Sequence, residues 1–149
     1  MSYKILIVED HKLIADTWAV ILGQKDNITV VGIAASEDEA VDVARDKKPD
    51  IVFMDIGLKT GNGIQATQRI LEENNAVRII GLSVYNDISV VHQMILNGAK
   101  GFITKNSPTS ELLKAIEVVD KGELYFCNEI KTPYLSSELY QRLNIDNVS

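Results

Sequence analysis

The sequence is poor in the residues that mark several whole classes of protein. Cysteine occurs once, at position 127, so no disulfide can form within the chain and a disulfide-stapled secreted domain is excluded. No apolar run approaches the ~20 residues that a membrane span requires. The opening Met-Ser-Tyr-Lys leads directly into a short apolar run, without the long apolar segment and cleavage site of a signal peptide, and a cytoplasmic location is expected. Basic residues are outnumbered, 15 against 21 acidic, and the resulting charge of −6 repels phosphate backbones and anionic membranes. This chain by itself is therefore not expected to bind nucleic acid.

What is present is a globular balance. Hydrophobic residues make up 46% and charged residues 24% of 149 positions. That length suits one domain of roughly 100 to 200 residues. Short apolar runs recur at Ile5 to Val8, Ile28 to Ile33, Ile51 to Met54, Val77 to Leu82 and Gly101 to Thr104. Their near-continuous Val/Ile/Leu character suits parallel strands covered on both faces. Between them, Leu13, Ile14, Trp18, Ile21 and Leu22 fall at helical spacing, as do Ile64, Ile70 and Leu71, and Val91, Ile95 and Leu96.

Helix starts are marked by Ser36 with Glu39, by Asn62 with Gln65, and by Ser107 ahead of Pro108 as the first helical residue. Gly23, Gly98 and Gly122 mark left-handed helix ends. The predicted fold is α/β: a doubly wound five-stranded parallel sheet in the flavodoxin-like order 2-1-3-4-5, with helices on both faces. Residues 1–122 form the domain. From about Glu123 the alternation ceases, and residues 123–149 read as an appendage holding Tyr125, Pro133, Tyr134 and Tyr140, with a helix from Ser136 to Leu143.

In an open parallel sheet, ligands bind beyond the carboxyl ends of the strands, where neighbouring connections leave on opposite faces. The strand-end residues are thus the candidates: Glu9-Asp10, Asp55, Ser83 and Lys105. With strands one and three adjacent, Glu9, Asp10 and Asp55 converge in one crevice. Like charges within ~5 Å repel by a few kcal/mol per pair at an effective dielectric constant of about 20. A hard divalent cation resolves that repulsion, and Mg²⁺ suits carboxylate ligands with a phosphate oxygen better than calcium or zinc. A carboxylate can also attack phosphorus to give an acyl phosphate. Asp55, held rigidly behind Ile51-Val52-Phe53-Met54, is the expected nucleophile. Lys105 would face the phosphoryl oxygens as a point charge and the Ser83 hydroxyl would hydrogen-bond to them.

Together these residues resemble the receiver domain of two-component response regulators. Glu9-Asp10 matches the family's acidic pair, Asp55 its phosphoacceptor, Ser83 its Ser/Thr switch position, Phe102 its aromatic switch position and Lys105 its invariant lysine, over residues 3 to about 121. The tail resembles the connector of NarL/FixJ-type regulators, in which a LuxR-type helix-turn-helix follows. The resemblance implies Mg²⁺-dependent phosphorylation of Asp55, with the Gly57 backbone joining Glu9, Asp10 and Asp55 as metal ligands. It implies that Ser83 moves inward to the phosphoryl group and vacates space into which Phe102 rotates. Its implied partners are a sensor histidine kinase, small phosphodonors such as acetyl phosphate, a second copy in a homodimer, and DNA only through a C-terminal domain outside this chain; no membrane is involved. Such a domain is not an enzyme beyond slow self-phosphorylation and self-dephosphorylation.

Departures from the family pattern are Lys59, where the loop after the phosphoacceptor usually has proline, and Val84, where a small residue usually follows the switch serine. The lysine leaves that loop freer to move or differently placed, and the valine narrows access to Asp55. Gly57 and Tyr85 occupy the family's variable, lifetime-tuning positions. His11 reads as a solvent-facing helix start, His92 as an exposed helix position, and Trp18 and Cys127 as structural. Two other functions compete: a receiver-like module that signals without phosphorylation, and an aspartyl-phosphate phosphatase of the haloacid dehalogenase type. The phosphatase needs a second Asp two residues after the nucleophile, where this chain has Gly57.

Overall fold

The computed structural model describes residues 2–83 and 88–148, with side chains to residue 143. The first strand, β1 (Tyr3–Val8), lies fully inside the molecule apart from Lys4. Its apolar run forms a strand because helices cover both of its faces. It is followed by α1 (Lys12–Gly23), β2 (Ile28–Ala34), α2 (Glu37–Lys47), β3 (Ile51–Asp55), α3 (Gly63–Glu73), β4 (Arg78–Ser83), α4 (Ile88–Leu96), β5 (Gly101–Thr104) and α5 (Thr109–Asp120). Every residue of β3 and β5 is buried.

The sheet is parallel, in the order β2-β1-β3-β4-β5 followed by a sixth strand, β6 (Tyr125–Phe126). The expected count of five strands is therefore corrected to six. Gly101 pairs with Tyr125 and Phe102 with Phe126. Two residues are too short to leave a periodic signature in sequence, so β6 is visible only in the structure. The chain steps from β1 outwards to β2 and then back past β1 to β3, so right-handed crossovers put α1 on one face and α2, α3 and α4 on the other. In agreement, α2 contacts α3 and α3 contacts α4. The reversal makes the carboxyl ends of β1 and β3 the switch point of the sheet.

Local signals hold with some corrections. Ser36 Oγ accepts a hydrogen bond from the Glu39 N–H at 3.2 Å, and Asn62 Oδ1 accepts from the Ile64 and Gln65 N–H groups. At α5, Pro108 is the cap, extended at ψ 162, and the helix begins at Thr109; the Ser107 hydroxyl faces Thr104 Oγ1 at 3.3 Å instead of capping. Gly98 and Gly122 take positive φ, but Gly23 does not, since α1 ends through a right-handed Gln24. Leu13 and Leu96, read as core positions, are 70% and 58% exposed: both sit in terminal turns that neighbouring elements do not cover. The single tail helix expected at Ser136 to Leu143 is two, α6 (Asn128–Leu135) and α7 (Glu138–Val148), broken where Ser137 Oγ accepts from the Tyr140 N–H. Together with β6, α6 covers the β5 edge and packs against α4.

Candidate functional site

The carboxyl ends of β1 and β3 bring Glu9, Asp10 and Asp55 together: one ligand oxygen from each lies within 4.8 Å of the others. Glu9 and Asp55 are 1% and 2% exposed, and Asp10 is half-buried. From the end of β5, Lys105 reaches in, with Nζ 2.6 Å from Glu9 Oε1 and 3.0 Å from Asp55 Oδ2. Among the described residues, those two buried oxygens have no partner besides this ammonium. Their second oxygens take backbone donors: Glu9 Oε2 accepts from the His11 N–H at 2.9 Å, and Asp55 Oδ1 from the Gly57 N–H at 2.8 Å. Glu9 thus also supports the start of α1, where His11 is the exposed cap residue.

One lysine among three carboxylates leaves the cluster short of positive charge. At 4.8 Å a like-charged pair repels by about 3 kcal/mol at an effective dielectric constant of about 20. The titration behaviour reflects this crowding. Burial raises the Glu9 carboxyl above its ordinary value, and the Asp55 charge adds to that against the opposing pull of Lys105 and the His11 N–H. For Lys105, burial works against the charged form but is outweighed by hydrogen bonds and charge from Glu9 and Asp55, so its pKa is raised. Burial also acts on Asp10, yet its carboxyl is lowered because the Lys59 N–H, Glu9 and Lys105 together outweigh it. The shortage of cations, the all-oxygen donor set and the oxygens satisfied only by Lys105 together fit a hard divalent cation such as Mg²⁺.

Above the cluster opens a cleft of about 580 Å³, lined by the polar groups Asp10, Asp55, Ser83 and Lys105 and by apolar Ile14, Ile56, Ile64 and Val90. Ser83 is buried at the end of β4, and its carbonyl accepts from the Lys105 N–H at 2.8 Å, which fixes the two residues relative to each other. Phe102 does not line the cleft. It is fully buried behind it, its ring so close to Gly81 that a Cβ there would lie 2.8 Å from Cδ2. The loop that lacks proline at Lys59 is tied down differently: the Lys59 N–H donates to Asp10 Oδ2 at 2.7 Å. Val84 and Tyr85 lie outside the described residues.

The sequence does not reveal the apolar rim or the loop anchors, because apolar residues such as Ile14, Ile56, Ile64 and Val90 carry no local signal that distinguishes a rim from a core. Trp18 and Cys127 are buried, as expected, with Trp18 edge-on to Phe53 at 6.1 Å between centroids. His92 departs from expectation: it is half-buried, with Nδ1 3.0 Å from the Tyr134 hydroxyl.

Three acids and a lysine from distant strand ends, meeting at a switch point, invite comparison with known proteins. The family profile described as the response regulator receiver domain matches residues 5–117. The chain belongs to the response regulator receiver family. This receiver is 35% identical over 147 residues to the oxygen regulatory protein NreC of Staphylococcus haemolyticus, covering 98% of the chain and 67% of that protein. A crystal structure of a LuxR-family two-component response regulator from Aurantimonas superposes with a TM-score of 0.86 at 28% identity, over 96% of this chain and 99% of that one. The isolated receiver of RcsB from Salmonella enterica, solved with the phosphomimetic BeF₃⁻, shares the fold at a TM-score of 0.78 and 19% identity, over 88% and 97% of the two chains. The receiver is of the LuxR response-regulator type; receivers of this family hold Mg²⁺ at an acidic pocket, and this chain brings Glu9, Asp10 and Asp55 together in an acidic cluster. Among its described residues, no helix is long and apolar enough to cross a membrane.

Proposed function

We propose that Asp55 is the phosphoacceptor of this receiver, with Glu9, Asp10, Asp55 and the Gly57 carbonyl holding Mg²⁺. The observation that carries the reading is the meeting of those carboxylates within 4.8 Å, with Lys105 3.0 Å from Asp55. When bound, the cation supplies charge neutralisation for the incoming phosphoryl oxygens. The chain's own residues do the rest. An Asp55 carboxylate oxygen attacks phosphorus as the bond from phosphorus to the donor breaks, and the electron pair departs with the donor: the imidazole of a sensor histidine kinase, or acetate from acetyl phosphate. Asp55 is held for attack by the Gly57 N–H on Oδ1. Lys105 stabilises the charge on the transferring group, and the burial of Glu9, Asp55 and Lys105 at the floor of the cleft strengthens that interaction. No side-chain base is needed, because a carboxylate nucleophile has no proton to give up as it attacks.

Ser83 then hydrogen-bonds the phosphoryl group, and Phe102, directly across from β6, repacks in response. A hydrogen bond to a charged group is worth ~1.5 to 3 kcal/mol, enough to shift a two-state ratio about tenfold or more. Residues 1–122 act as the receiver unit and residues 123–149 connect it to a DNA-binding helix-turn-helix. Dimers of RcsB bound to DNA are known as a solved structure, and we infer an analogous homodimeric, cytoplasmic transcription regulator here. Support for an output through the tail comes from Phe102 pairing with Phe126 and from α6 resting on α4.

Incubation with acetyl phosphate and Mg²⁺, read by intact mass, should add one base-labile phosphoryl group to the wild type and none to Asp55→Ala. An unmodified wild-type protein would overturn the assignment and favour signalling by contact alone. Ser83→Ala should still accept the group but respond weakly in a reporter assay of the full-length regulator.

A further inference from the structure

The loop between Asp55 and α3 is bound at both ends, and its far anchor is a residue outside the acidic cluster. Near Asp55, the Gly57 N–H donates to Asp55 Oδ1 and the Lys59 N–H to Asp10 Oδ2. At the far end, Glu37, the first residue of α2, makes two bonds to the loop. Its Oε1 accepts from the Asn62 N–H at 2.9 Å, and its own N–H donates to the Thr60 carbonyl at 3.2 Å. Its Oε2 meets Arg69 Nη1 of α3 at 2.8 Å, and that Nη1 also meets Asp38 Oδ1 at 2.8 Å. The Glu37 side chain is only 13% exposed, whereas that of Asp38 is 87% exposed. A Cβ at Gly61, where φ is +87, would collide with Glu37 Cβ. Loop backbone is thus packed directly on this side chain.

These contacts make a closed frame. Glu37 sets where Thr60 to Asn62 lie. Asn62 caps α3, whose first residue, Gly63, is packed so tightly on the Asp55 carbonyl that a Cβ would overlap it. Lys59, between the two anchors, presents its N–H to Asp10. Proline stiffens a loop through its own φ; here a half-buried carboxylate from the neighbouring helix restricts the loop instead.

We propose that Glu37 is a positioning residue for the acidic site: it holds the Gly57 to Asn62 loop so that Asp10 and Asp55 keep the orientation in which they take a cation and a phosphoryl group. The inference rests on the phosphoacceptor reading of Asp55. Arg69 orients Glu37 in turn, while Asp38 contributes only an exposed contact to Arg69.

The test compares the wild type with Glu37→Ala, Glu37→Gln, Asp38→Ala and Gly61→Ala. Two readouts are taken: the initial rate of acetyl phosphate modification across a Mg²⁺ series, and Mg²⁺ titration of the Gly57 and Lys59 amide resonances by NMR. Glu37→Ala should raise the Mg²⁺ concentration at half-saturation by about five- to tenfold and slow modification about tenfold, the scale of losing a charge-assisted hydrogen bond. Glu37→Gln, which still accepts from Asn62, should recover most of both, and Asp38→Ala should match the wild type. Gly61→Ala, which pushes the loop off Glu37 without removing it, should mimic Glu37→Ala and keeps the test open if Glu37→Ala does not fold. Wild-type Mg²⁺ dependence in folded Glu37→Ala, or in folded Gly61→Ala, would refute the role. A wild type that is never modified would instead refute the phosphoacceptor reading, while the NMR titration would still report on Glu37.

Discussion

The Tyr134 hydroxyl lies 3.0 Å from His92 Nδ1, so a residue of α6 and a residue of α4 are joined inside the molecule although 42 positions separate them in sequence. Tyr134 is fully buried, with the rings of Phe126, Tyr140 and His92 at 5.3, 5.4 and 6.0 Å. The tail therefore shares the hydrophobic core of the body. Tyr134→Phe removes only the hydrogen bond and should cost about 1 kcal/mol in urea denaturation. Tyr134→Ala also opens a cavity and should cost about 3 to 5 kcal/mol. If Tyr134→Ala unfolds with the wild-type midpoint, the docked tail adds nothing to stability.

The same tyrosine sets an alkaline limit. Burial raises the Tyr134 phenol above its ordinary value of 10.0, with a smaller contribution from Tyr140. The folded state therefore holds this proton more tightly than the unfolded state, and unfolding releases it more readily. The associated stability is fully present below about pH 10 and is lost as pH rises through the folded-state value. Urea midpoints should decline above pH 10, and less steeply in Tyr134→Phe; equal slopes would show that this phenol is not the group responsible.

If Glu9, Asp10 and Asp55 take Mg²⁺ as proposed, the cation should stabilise the fold, because these carboxylates are brought together only in the native state. With a dissociation constant of about 1 mM, 10 mM Mg²⁺ adds about 1.4 kcal/mol. Thermal or urea unfolding with and without Mg²⁺ measures this directly, and the increment should vanish in a Asp10→Asn, Asp55→Asn double variant. Retention of the increment there would place the cation elsewhere.

Gly81→Ala tests the packing behind the cleft. Its new Cβ would meet Phe102 Cδ2 at 2.8 Å and Met94 Cε at 3.2 Å, and both lie in a close-packed core. Overpacking of this kind costs about 1 to 3 kcal/mol. The displaced Phe102 should also change the near-ultraviolet circular dichroism, whereas an unaltered spectrum and midpoint would mean that the ring has room to spare.

Cys127 should be inert in the native protein. Burial raises its thiol above the ordinary value, against backbone hydrogen bonds that lower it, so little thiolate forms near pH 8. Labelling with a thiol reagent should be slow without denaturant and rapid in urea. Equal rates would show that the tail undocks readily.

The candidate site was legible in the sequence because strand ends and site coincide. Glu9-Asp10, Asp55, Ser83 and Lys105 each follow a recognisable apolar run, and a parallel sheet delivers all such ends to one edge. Glu37 could not be read that way. It begins α2 among other acids that stay in solvent, and only contact with a loop more than twenty residues away distinguishes it from Asp38. His92 looked exposed because its helix neighbours alone do not reveal that α6 returns to cover it. Leu13 and Leu96 fit an apolar stripe that, at those helix ends, is left largely in solvent.

By itself, the order of residues determined the alternation of strands and helices, the parallel sheet and the identity of the acids at its edge. These follow from local periodicity, from caps and from the burial that apolar runs demand. Only the tertiary structure decided that a two-residue strand closes the sheet, that the tail shares the core through Tyr134, and that Glu37 grips the loop beside Asp55. Those features depend on contacts between segments far apart in the chain, and no local pattern of residues encodes which distant partner will arrive.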